Sequence, residues 1–139
     1  MAYRVTSLDE LGPGVFRKLR PALGITAFGA NGLVLPPGTG WFNHFHERQD
    51  ELYFVHAGRA GFEVDGETFE LGPGGAVHVE STTPRRFWNA GDEDLVLLAT
   101  AISTLFVVAQ ARPDSGGRSR RSTRVFAGRD AVPEERSQR

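Results

Sequence analysis

A chain of 139 residues with 40% hydrophobic and 24% charged side chains has the size and balance of one globular domain. It contains no cysteine, which excludes disulfides, thiolate metal sites, iron–sulfur clusters and a cysteine nucleophile. The formal net charge of −1 is uneven: residues 1–110 carry eight Lys+Arg against thirteen Asp+Glu, and residues 111–139 carry eight Arg against four acids, so the acidic body argues against nucleic acid as a partner.

The opening residues show no apolar leader, and SLDELGPG reads as a short helix or turn that Ser7 could cap and Pro13–Gly14 would stop. From Leu23 the pattern is β. LGITAF and GLVLP are short apolar runs around Asn31–Gly32, a hairpin dipeptide, and Pro36-Pro37-Gly38 breaks the chain after them. Trp41–Glu47 and Glu51–Ala57 read as aromatic-rich strands. Arg59–Val64 and Glu67–Leu71 flank Asp65–Gly66, whose tolerance of positive φ suits a type I′ turn. Ala76–Glu80, Arg85–Asn89 and Asp94–Ala101 follow, and Leu105–Ala109 is a further candidate. The longest apolar stretch, residues 95–108, is too short for a membrane span and contains Thr100, Ser103 and Thr104. A cytoplasmic protein with no membrane partner is therefore expected. About ten short strands with frequent turns predict an all-β sandwich or barrel. The expected division is an N-terminal segment (1–22), a barrel (23–110) and an Arg/Ser/Gly-rich tail (111–139). The tail is too polar to offset its own ordering entropy. A basic arm, or a segment pinned through Val125 and Phe126, are its other two readings.

The chemistry-bearing stretch runs from Gly38 to Gly58. In a strand, positions i and i+2 share a face, so His44 and His46 project together. Glu51 returns on the next strand. Two imidazoles and one carboxylate form a three-ligand set with open positions, suited to a divalent ion such as iron, manganese, zinc or nickel. By the same parity Phe42 shares the face of His44 and His46, Tyr53 and Val55 that of Glu51, and Phe87 and Asn89 that of Arg85. The interior would be aromatic with a few polar groups, as small-molecule sites are. His56 falls on the opposite face. His78 alternates against Val77 and Val79, which makes outward its better orientation; facing inward, it would be a further candidate ligand.

The spacing Gly38, five residues, His44, one, His46, four, Glu51, six, Gly58 resembles the first signature motif of the cupin superfamily. Gly74 to Asn89, followed by GDEDLVLL, resembles a degenerate second motif, and the resemblance spans roughly residues 23–100. It implies a cupin, or double-stranded β-helix (jelly-roll), barrel. Homodimers paired through outer strands are implied as well. The departures are Glu80 and Thr82 in place of the usual proline and glycine, and above all Arg85 where the family places its fourth ligand, a histidine. Arginine stays protonated and has no lone pair to give. Either a metal sits on three protein ligands, or Arg85 neutralises Glu51 in a metal-free pocket. The planar guanidinium also matches an oxyanion in two-point geometry. The resemblance thus implies one of two functions. One is a metal-dependent dioxygenase or isomerase with His44, His46 and Glu51 on the metal, Arg85 and Tyr53 as catalytic candidates, and Phe42, Tyr53, Arg85 and Phe87 lining a site for a small anionic ligand. The other is a metal-free sensor or carrier.

Overall fold

The computed structural model describes residues 2–103 and 135–137. The candidate barrel strand Leu105–Ala109 and the tail pin at Val125 and Phe126 lie outside them. Among the described residues, ten strands and one helical turn follow in order: β1 (Phe16–Lys18), α1 (Leu19–Leu23), β2 (Gly29–Leu35), β3 (His44–His46), β4 (Gln49–Ala57), β5 (Ala60–Val64), β6 (Glu67–Leu71), β7 (Ala76–Val79), β8 (Arg85–Asn89), β9 (Leu95–Ser103) and β10 (Glu135–Ser137). They form two five-stranded antiparallel sheets, ordered β1-β2-β9-β4-β7 and β10-β3-β8-β5-β6. This is the all-β double-stranded β-helix expected from the sequence.

The core lies between the sheets and follows from period-2 alternation. Leu33, Leu35, Tyr53, Val55, Leu95 and Leu97 face inward from the first sheet, and Ala60, Phe62 and Phe87 from the second; all are buried. Cross-strand register stacks them: Leu33 and Val55 both pair with Leu97, and Phe62 pairs with Phe87. Tyr53, Phe62 and Phe87 form a ring cluster with centroids 5.4–6.0 Å apart. At one end of this interior the apolar lining gives way to His44, His46, Glu51 and Arg85, all buried.

The Asp65–Gly66 hairpin forms as expected, with φ of 51° and 82°. Three expectations are corrected. Asn31–Gly32 is not a turn. It lies within the continuous strand β2, paired with β1 on one side and β9 on the other. Gly32 serves close approach instead, because a Cβ there would collide with the Leu8 side chain. LGITAF is not a strand either: Leu23 ends α1, where Gly24 adopts a left-handed cap at φ 66°. The strand expected over Trp41–Glu47 shortens to His44–His46, with a lone bridge from Gly40 to Trp88 before it. SLDELGPG is a turn, in which Ser7 Oγ accepts the Glu10 N–H at 3.2 Å.

Candidate metal centre

Both sheets contribute to the polar end of the barrel. His44 and Arg85 sit directly opposite each other on β3 and β8, so their side chains share the inner face. His46 joins them from two residues along β3. Glu51 and Tyr53 enter from β4 of the facing sheet.

One carboxylate oxygen is the focus of the site. Glu51 Oε1 lies 2.7 Å from His46 Nε2, 3.6 Å from His44 Nε2 and 3.5 Å from Arg85 Nη1. It also accepts the Tyr53 hydroxyl at 2.7 Å. Burial raises the Glu51 pKa, but the His44 and His46 imidazoles, the His46 charge and the Tyr53 hydroxyl more than offset this and hold the carboxyl well below the usual carboxylate range. Glu51 is therefore an anion at neutral pH despite its burial.

The set fits a divalent ion. Donor atoms from His44, His46 and Glu51 all lie within 4.8 Å of one another. Donors held about 2.1 Å from one ion sit roughly 3–3.5 Å apart, so only small adjustments separate this arrangement from coordination. His44 Nδ1 lies 3.1 Å from the Phe42 carbonyl oxygen, the acceptor that Nδ1–H would use when Nε2 gives its lone pair to a metal ion. The neighbouring Arg85 is the departure. It is 0% exposed, and Nη2 donates to Glu80 O at 2.8 Å and Val79 O at 3.3 Å. Those two bonds tether the guanidinium to the turn after β7, beside the three donors.

The other candidates separate. Phe42 is 41% exposed at the rim, with its ring edge-on to His44 at 5.6 Å. Phe87 is buried within the ring cluster under the site. His78 faces outward, its side chain 54% exposed, so it is not among the site's donors. His56 is exposed on the outer face of β4.

One supporting group was not anticipated from the sequence. Asp50 points to the opposite face from Glu51, yet it is only 5% exposed. Its Oδ1 accepts the Ser81 backbone N–H at 3.0 Å and its Oδ2 pairs with His78 Nε2 at 2.9 Å. Ser81 is itself fully buried, and its carbonyl accepts the His46 N–H at 2.9 Å. Asp50 thus fastens the turn that carries both a backbone bond to His46 and the carbonyl tether of Arg85. An acid just before Glu51, on the outward parity, gave no sign of burial because its cover comes from β7 and the turn beyond.

Comparison with known proteins agrees with this architecture. Residues 33–101 match the cupin domain family model. The chain is 33% identical over 101 residues to "Polyketide synthase CurC" of Streptomyces cyaneus, covering 68% of this chain and 66% of that protein. It spans about two thirds of the length of the curated relatives it matches. A cupin protein from Bacteroides fragilis superposes with a TM-score of 0.65 at 23% identity, covering 85% of this chain and 92% of that one. A sugar phosphate isomerase of the cupin superfamily from Silicibacter pomeroyi superposes at 0.59 with 26% identity, covering 63% and 57%. With the family match lying over the strands that carry both motifs, the chain belongs to the cupin superfamily.

Proposed function

We propose that this cupin binds a divalent metal ion on His44 Nε2, His46 Nε2 and Glu51 Oε1, and next to it a small anionic organic ligand held by Arg85, in the service of isomerase- or dioxygenase-type chemistry. The observation that carries the reading is the convergence of three buried donors on one point, with a tethered guanidinium beside them. When bound, such an ion would act as a Lewis acid on a ligand oxygen. The chain's own residues do the rest. Arg85 orients the anion, Tyr53 fixes the carboxylate by donating to Oε1, and the Tyr53–Phe62–Phe87 cluster closes the site from below against water. The similarity to a sugar phosphate isomerase supports an anionic substrate. Metal titration of protein stripped with a chelator tests the reading. One ion per chain, lost in His46→Ala, is expected; no binding at micromolar metal overturns it.

A second reading rests on the buried contact of Arg85 Nη1 with Glu51 Oε1 at 3.5 Å. In it the pair is permanent and the barrel is a metal-free sensor or carrier. The same titration separates the two.

We also propose a homodimer. The outer face of the first sheet leaves Leu52, Phe54 and Leu98 between 38% and 45% exposed, with Phe54 paired to Leu98 across β4 and β9. Phe28, 41% exposed, lies at the edge of the same apolar groove as Leu52. Covering such a patch with a second copy removes it from water. Light scattering that returns the 15.2 kDa mass of one chain at tens of micromolar overturns this.

A further inference from the structure

Arg85 carries more donor capacity than the barrel uses. Its side chain is fully buried, and Nε and Nη1 have no hydrogen-bond partner. Nη2 alone is hydrogen-bonded, to the carbonyls of Val79 and Glu80, while Nη1 makes only the 3.5 Å ion-pair contact with Glu51. A desolvated guanidinium with idle N–H groups is costly to keep, and it cannot shed its charge. The carbonyl tether also prevents it from swinging to solvent.

The charge balance sharpens the point. Without a metal, Arg85 faces one carboxylate, Glu51, and the two charges offset each other. A divalent ion on His44, His46 and Glu51 would leave two positive charges uncompensated in a buried space. It would also compete with Arg85 for the same oxygen, since Glu51 Oε1 is the atom that both histidines and Arg85 Nη1 approach. Arg85 released from Glu51 would have three unused donor directions beside the cation. An oxyanion would meet all of these demands together: it would bring one or two negative charges, offer an oxygen to the ion and accept from Nε and Nη1.

We propose that the metal and a small oxyanion, a carboxylate or a phosphoryl group, bind this site as a coupled pair, each raising the affinity for the other, with Arg85 as the residue that couples them. The proposal rests on the metal reading above. It goes further by making the ion's affinity conditional on the anion, and by making Arg85 a specificity determinant against neutral ligands. The coupling is reciprocal: whatever factor the anion contributes to metal binding, the metal contributes to anion binding.

The test is calorimetric titration of the full chain with Mn(II) and with Zn(II) at pH 7.5 and constant ionic strength. The medium is chloride alone, chloride with acetate, or chloride with methylphosphonate. Either oxyanion is expected to tighten metal binding at least tenfold, which is about 1.4 kcal/mol. The stronger of the two identifies the ligand class. Arg85→His replaces the cation with a donor, so this variant is expected to bind metal more tightly in chloride and to respond less than twofold to either anion. Metal affinity in the native chain that is equal within twofold across the three media overturns the coupling while leaving the metal site standing. An absence of metal binding in every medium overturns both. These outcomes are read on the native chain and hold even if Arg85→His fails to fold.

Discussion

Replacing Asp50 with alanine is expected to damage the metal centre from the outside of the barrel. The carboxylate never reaches the three donors, but it accepts the Ser81 N–H at 3.0 Å, and Ser81 is fully buried. Asp50→Ala takes that acceptor away in a place water does not reach, at about 1–3 kcal/mol. The pair with His78 adds less than about 1 kcal/mol, because the His78 side chain is half exposed and solvent screens it. The sum is roughly 1–4 kcal/mol. Asp50→Asn keeps a carbonyl oxygen for Ser81 and is expected to cost about 1 kcal/mol or less, and His78→Ala a similar amount. Urea unfolding at pH 7 with chelator present measures all three, with an unchanged slope indicating that stability alone has moved. Because the Ser81 carbonyl accepts the His46 N–H, Asp50→Ala is also expected to weaken metal binding severalfold, whereas His78→Ala leaves it near the native value. Asp50→Ala within 0.5 kcal/mol of the native protein, or no worse than Asp50→Asn, would refute the role given to this carboxylate.

Two further outcomes follow from local geometry and charge. Gly58 sits at φ 81°, and a Cβ there would lie 2.5 Å from Asp94 O and 2.9 Å from Leu95 Cα, both backbone atoms that cannot rotate away. Gly58→Ala is therefore expected to cost at least about 2 kcal/mol in the same unfolding assay, and a smaller loss would place the strain elsewhere. Glu51 has a folded pKa depressed below its ordinary value of 4.5, so its ionised form contributes stability that is complete above that pH and is lost as pH falls toward the lower folded value. In Glu51→Gln the part of acid destabilisation that sets in below about pH 4.5 should shrink, and an unchanged acid limb in pH-dependent unfolding curves would contradict the carboxylate's assigned state.

Much of the site was legible because two short-range rules act there without competition. Alternation puts His44 with His46 and Glu51 with Tyr53 whatever the rest of the chain does, and the motif spacing supplies the partner strands. Val77 and Val79 likewise predicted that His78 faces outward. The misreadings came where tertiary contacts override local preference. Asn31–Gly32 carries a turn dipeptide, but β1 and β9 pair with it on either side and hold it extended, with the Leu8 side chain packed over Gly32. The Trp41–Glu47 run is rich in strand formers, yet only His44–His46 finds neighbours in register, β8 on one side and β10 on the other. The β10 partner, Glu135–Ser137, lies in a polar tail whose composition carries no strand signal. Asp50 carries no local mark of its burial in the sequence. Its burial depends on the turn at Ser81, thirty-one residues later in the chain, and no local pattern reports a contact of that range.

The central claim is that His44, His46 and Glu51 hold a metal ion, and elemental analysis of protein purified without an affinity tag tests it most directly. The account predicts close to one equivalent of a first-row divalent ion per chain, and less than a tenth of that in His46→Ala purified in parallel and shown to be folded by circular dichroism. A native chain free of metal that also takes up none on dialysis against micromolar iron, manganese, zinc and nickel, with or without acetate or methylphosphonate, or a His46→Ala chain with undiminished metal, would contradict it.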